Sequence, residues 1–135
     1  MPIGIVAMGR SGKRPSQVAV IPVRRTENGV AQVCLIRRKT SGKWGIPKGY
    51  IDRGYNHTQA ALAEAHEEAG LDGYLKGNMI GTYEYEKGLR RLTVAVYVME
   101  VIEERTTWPE MRWRERRWCS TEEAGALLTR HHVWA

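Results

Sequence analysis

An α/β domain with a mixed sheet between helices is the architecture that this 135-residue sequence predicts. Three observations lead there. β-Branched runs occupy residues 16–38 and again 79–101, one alanine-rich helical segment lies between them, and a second short helix is announced near the C-terminus. Strands, helix, strands and helix, in that order, build a layered domain.

The elements follow in order. Ser16–Arg25, SQVAVIPVRR, is the first strand, with Pro22 marking an edge, a bulge or the strand's end. TENG is a turn and Ala31–Arg38, AQVCLIRR, is the second strand, so the two form a hairpin. KTSGKWGIPKG is a glycine-dense loop anchored by Trp44 and Ile46. Asn56 then offers an N-cap, with Gln59 three residues on to close a capping box; Ala60–Ala69 is strong helix sequence, and Gly70 ends it. MIGTYEYEKGLRRLTVAVYVMEV reads as two strands around a Lys87-Gly88 turn. A loop holding TTWPEMRWRERRW follows, and Ser120 with Glu123 opens a final helix through Leu128.

The bulk composition excludes several classes. A chain of this length buries a core without disulfides or metals to staple it. Its 42% hydrophobic and 27% charged content is ordinary for a soluble globular protein. No apolar run approaches the ~18 residues of a membrane span, and the first residues lack the pattern of a secretion signal. Cys34 and Cys119 have no metal spacing and read as reduced, buried thiols. The expectation is one cytoplasmic domain over residues 1–135, with 1–15 a flexible or loosely packed segment. His131-His132 read as neither a tag remnant nor a ligand pair. The net charge of +6 raises a nucleic-acid partner, but the cations come in small scattered groups, which describe solvated decoration as well as a shared cleft.

The chemistry concentrates on the central helix. Residues three and four apart share a helix face, so Glu64, Glu67 and Glu68 converge, while Ala61, Leu62, Ala65 and Ala69 turn toward a core. Glu64 and Glu68 repel by about 0.2–0.5 kcal/mol if nothing lies between them. A divalent cation turns that repulsion into coordination, since hard cations prefer carboxylate oxygens. Taken alone, such a triplet also describes a solvated acidic face. The preceding PKG loop, whose carbonyls could complete a metal shell, favours the metal.

From Gly49 to Leu71 the chain resembles the Nudix box: a glycine, five residues, Glu, seven residues, then Arg-Glu-apolar-x-Glu-Glu-x-Gly-apolar. Gly49 matches the opening glycine, and Glu64, Ala65, Glu67, Glu68, Gly70 and Leu71 match the closing half in register. WGIPKG and WPEMRWRERRWCSTEEA also look like regions of this family, so the resemblance extends from Ser16 to about Leu128. It is nearest the hydrolases of diphosphoinositol and dinucleoside polyphosphates. Two positions depart: Tyr55 stands at the first Glu and Ala63 at the Arg. In the family those side chains pair and brace the loop. Losing both strands no charge, whereas losing one would cost several kcal/mol if buried; the double change reads as a replaced brace, with Tyr55 packing over Ala63.

The resemblance implies a Nudix-type α/β/α sandwich and hydrolysis of a phosphoanhydride by water attack at phosphorus, with Mg²⁺ or Mn²⁺ as cofactor. Glu64 and Glu68 would be the main side-chain ligands, Glu67 would hold a further ion or activate water, and the Lys48 carbonyl would be the backbone ligand. Glu64 and Glu67 are joint candidates for the base, with Glu84, Glu86 or Glu110 as alternatives from later loops. Lys13, Arg14, Arg37, Arg38, Arg90, Arg91, Arg114 and Arg116 fall where the inositol-type relatives carry basic residues, and Arg suits phosphate because its planar fork binds two oxygens. Arg117 stands where those relatives carry Glu. The partner implied is a small-molecule polyphosphate, not a membrane; a homodimer is allowed for. Two other readings stay open. One is an inert Nudix-fold nucleotide-binding module. The other is a small RNA-binding protein that uses its basic face, in keeping with the Arg-Trp alternation of RWRERRW; for the hydrolase, RNA ends are the one nucleic-acid partner allowed for.

Overall fold

The computed structural model describes residue 9 and residues 12–130, the side chains through 128. His131-His132 lie outside the described residues, as does most of the segment expected to pack loosely; Gly9 forms an isolated bridge with Thr82. Seven strands form one sheet: β1 (Gln17–Arg25), β2 (Ala31–Arg38), β3 (Lys48–Tyr50), β4 (Leu71–Leu75), β5 (Gly81–Lys87), β6 (Arg90–Glu104) and β7 (Arg114–Ser120). The order is β4-β6-β1-β2-β7, with β3 paired to β1 and β5 to β6. β1 and β6 run parallel from Gln17↔Val94 to Val23↔Glu100, while every other pairing is antiparallel. The sheet is therefore mixed, as expected.

Two helices cover its faces. α1 (His57–Glu64) continues without a break into a π-helical turn, Ala65–Ala69, and α2 (Thr121–Arg130) closes the chain. β1 is buried on both sides and its alternation divides the core. Val18 and Val20 pack with Ala60, Ala61, Ala65, Ala95 and Met99 on the α1 face. Ala19 and Ile21 pack with Val33, Leu35, Val94, Val96, Ala124 and Leu128 on the α2 face. Fully burying a side chain of the Val, Leu or Met class stabilises by ~1.5–3 kcal/mol, so these layers hold α1 firmly on the sheet. Among the described residues no helix is long and apolar enough to cross a membrane.

Three strands were not expected. β3 and part of β7 fall in segments read as loops, and β4 was not foreseen. Lys-Gly-Tyr is too short to alternate, and Asp72 and Gly73 interrupt β4. The charges of Arg114–Arg117 hide the strand, which is imposed by seven register pairs to β2, from Gln32↔Ser120 to Arg38↔Arg114.

Candidate active site

The capping box forms as the sequence requires. Asn56 Oδ1 accepts from the Gln59 amide at 2.8 Å, and Gln59 Oε1 accepts from the Asn56 amide at 2.9 Å. The far end of the helix is less regular. An α-helix turns once in 3.6 residues, whereas the π turn at Ala65–Ala69 bonds i→i+5 and is wider. A wider turn brings residues four apart nearly into line and swings residues three apart to the side. Glu64 and Glu68 accordingly share a hydrogen bond, while Glu67 is exposed. Spacing alone gathers three carboxylates; the structure brings two into contact. Gly70, at φ 66°, ends the turn in the left-handed conformation that favours glycine.

Each carboxylate has a built environment. Glu68 is only 7% exposed, accepts from the Lys48 amide on Oε1 at 3.1 Å, and has Arg114 Nη2 3.7 Å from Oε2. Burial pushes its carboxyl up to about 8, with Glu64 adding to the rise and Arg114 and the Lys48 amide opposing it. Burial also raises Glu64, with the charges of Glu67, Glu110 and Asp52 adding. Glu64 lies over the bare Cα of Gly49: a Cβ there would come within 2.5 Å of Glu64 Oε1. Gly49 is thus glycine because the carboxylate occupies the space of a side chain.

This donor set suits a divalent cation. Two carboxylates held together in a partly buried niche must share a proton to relieve their charge, and a cation satisfies the same lone pairs without protonation. Among the described residues no third Glu, Asp, His or Cys side chain completes a ready-made cage, so the remaining ligands would come from backbone, water or substrate phosphate, as Mg²⁺ prefers. At Lys48 the structure shows the amide as a donor to Glu68. The Lys48 side chain lies 4.0 Å from the centroid of the Tyr85 ring.

The basic residues are not gathered equally. Arg114 enters the site, bonded through Nε to Glu110 Oε1 at 2.6 Å and reaching Glu68 with its other arm. Arg116 is engaged by the protein's own groups. Its Nη1 donates to the Ala69 carbonyl at 2.7 Å, its Nη2 to the Arg105 carbonyl at 2.5 Å, and it stacks 4.0 Å over Trp108. Arg37 stacks over Trp44 and pairs with Glu115, with Arg38 exposed beside it. Arg90 lies 5.8 Å from Tyr50, next to Lys87 at 5.4 Å, and Arg91 is held by Glu84 and Glu86. Arg14 is exposed. Lys13 lines a separate cavity of about 400 Å³ with His57, Thr58, Asn78 and Tyr97. His57 opens α1, so that cavity lies ~16 Å along the helix axis from Glu68. Tyr55 is 48% exposed, so any packing on Ala63 leaves half its ring in water.

Sequence reasoning missed Trp108 and Tyr50. Trp108 Nε1 donates to the Glu68 carbonyl at 3.1 Å, and Tyr50 is 39% exposed one residue beyond Gly49. The only signal for Trp108 was an aromatic in a polar loop, which does not reveal its partner.

Comparison with known proteins shows the family and the fold. A family model described as NUDIX domain matches residues 13–135. Nudix hydrolase 16, mitochondrial, of Arabidopsis thaliana is 36% identical over 120 residues, which are 81% of this chain and 64% of that protein. Diphosphoinositol polyphosphate phosphohydrolase 3-beta of Homo sapiens is 32% identical over 91 residues, 66% of this chain and 54% of that protein. The chain spans about half to two thirds of these relatives. Among solved structures, a C. elegans Ap4A hydrolase binary complex superposes with a TM-score of 0.71 at 21% identity, covering 84% of this chain and 85% of the other. A NUDIX-family hydrolase from Clostridium perfringens gives 0.69 at 20% identity, covering 90% and 95%. At these identities the superpositions show the shared fold.

Proposed function

Because the chain belongs to the Nudix family, we propose that it is a divalent-metal-dependent pyrophosphohydrolase, cleaving a phosphoanhydride of a nucleoside- or inositol-type polyphosphate by water attack at phosphorus. The observation that carries the reading is the Glu64–Glu68 pair, pressed against Gly49 and flanked by the Lys48 amide and Arg114. Glu64 and Glu68 would hold the ion with the Lys48 carbonyl as backbone ligand, and the exposed Glu67 would hold a further ion or activate water, as the family resemblance implies. An ion bound there would neutralise phosphate charge and make water a better nucleophile.

The chain's own groups supply the rest. Glu64, held against Gly49, is placed to take a proton from the attacking water; Glu67, exposed beside it, is the alternative base. Arg114 offsets charge next to Glu68, and Glu110 fixes its fork. Arg37, Arg38 and Arg90, with Arg14 and Lys13 farther out, serve the distal phosphates as bidentate or point-charge contacts. Positioning and charge neutralisation of this kind account for most catalysis of phosphoryl transfer. A cytoplasmic or other reducing setting fits the thiols: Cys34 and Cys119 are free and buried, and burial pushes Cys34 up to about 12.

A panel of dinucleoside polyphosphates, diphosphoinositols and nucleotide sugars, assayed with Mg²⁺ and Mn²⁺ by phosphate release and product mass, tests the reading. Metal-dependent cleavage at an anhydride is the expected result. Binding without turnover across the panel would establish an inert nucleotide module instead.

A further inference from the structure

The last four carbonyls of a helix have no intrahelical partner, and in this chain one distant segment caps them one by one. The Glu67 carbonyl accepts from the Glu110 amide at 3.0 Å, and the Gly70 carbonyl accepts from the Arg105 amide at 2.8 Å. Between them, the Glu68 carbonyl accepts from the Trp108 indole at 3.1 Å and the Ala69 carbonyl from Arg116 at 2.7 Å. Arg116 also ties the segment to itself through the Arg105 carbonyl and lies flat on Trp108. The fit is close at Gly70, where a Cβ would meet Arg116 Nη1 at 2.8 Å and Trp108 Cβ at 2.9 Å.

This clasp coincides with the π turn. Such turns are rare, and they persist only where surroundings favour them over the regular α form. Four external donors, fixed by the β6–β7 connection and the first residues of β7, hold the carbonyls at the π spacing. That spacing is what lines Glu68 up with Glu64 and with the Lys48 amide. We infer that Trp108 and Arg116 are positioning residues, which lock the end of the helix in its π form and thereby set the carboxylate pair. The connection to metal affinity rests on the reading above; the connection to helix geometry does not.

The test uses the full chain carrying Trp108→Phe, which keeps a ring under Arg116 and removes the N–H. Hydrogen exchange at the Ala69 and Gly70 amides should speed roughly five- to tenfold, the worth of one hydrogen bond, with the Ala60–Ala63 amides unchanged. Calorimetry with Mn²⁺ should show affinity weaker by roughly 10–100-fold, as for other losses of support behind a ligand. Turnover should fall through kcat while KM for a given substrate holds. Arg116→Lys, which cannot reach both carbonyls at once, should show the same local loosening if the Phe variant does not fold. Unchanged exchange at Ala69 and Gly70 overturns the inference. So does equal acceleration throughout α1, which would mark a general loss of stability. Failure of the unaltered protein to bind Mn²⁺ would sink the proposed hydrolase, while the exchange data still decide whether the clasp sets the turn.

Discussion

Replacing Gly49 by Ala should separate activity from stability. The added Cβ would sit 2.5 Å from Glu64 Oε1 and closer still to the carboxyl carbon, whereas ordinary van der Waals contact begins at 3.4 Å. The carboxylate must therefore retreat by about 1 Å. It can do so cheaply, because it is the far end of a flexible side chain, and Gly49 is not in the left-handed region. The folded state loses little, and the unfolded state loses backbone freedom, so stability should hold or rise by up to ~1 kcal/mol. Chemistry is less forgiving: a 1 Å misplacement at a catalytic centre costs ~100-fold, or about 2.7 kcal/mol of barrier. Gly45→Ala is the matched control, in the same loop with nothing within 4 Å of its Cβ. The assay is kcat/KM on the substrate that the panel identifies, beside urea unfolding of both variants. Activity in Gly49→Ala near that of the unaltered protein would refute the placement of Glu64 in the reacting centre; a parallel loss of stability would mean that the clash falls on the fold.

Other expectations concern charge. Glu68 has its carboxyl raised from 4.5 to about 8, so between those values the folded state holds a proton that the unfolded state has released. Metal-free stability should then fall as pH rises from about 5 to 8, and Glu68→Gln should flatten that slope while lowering turnover by orders of magnitude; pH-dependent urea unfolding checks both. Arg114→Gln removes the charge that holds Glu68 down, so the pH at which Mn²⁺ begins to bind should move upward, as titration calorimetry would show. Arg90→Gln should raise KM by about tenfold for long phosphate chains, the worth of one charge-assisted contact. Arg91→Gln should change KM little, since Glu84 and Glu86 engage that side chain; equal effects of chain length in both variants would exclude a phosphate role for Arg90. Tyr55→Glu and Ala63→Arg should each harm stability and recover partly together, with a coupling of roughly 0.5–3 kcal/mol; strictly additive losses would end the replaced-brace explanation.

The sequence by itself determined what local chemistry dictates. Asn56 and Gln59 begin the helix and Gly70 stops it, because caps and left-handed glycines act within a few residues. The β-branched runs gave β1, β2 and the two long later strands, and the spacing of Glu64 and Glu68 put both on one face. Tertiary structure decided the rest. β3, β4 and β7 are strands because neighbours offer ladders, not because Lys48–Tyr50, Leu71–Leu75 or Arg114–Ser120 prefer the conformation. The same holds for Arg116, whose guanidinium meets a helix-end carbonyl 47 residues away that no local pattern announces. Whether Glu67 joins Glu64 and Glu68 or is swung aside depends on α or π winding, and that depends on donors from residues 105–116, which no local pattern near the glutamates encodes.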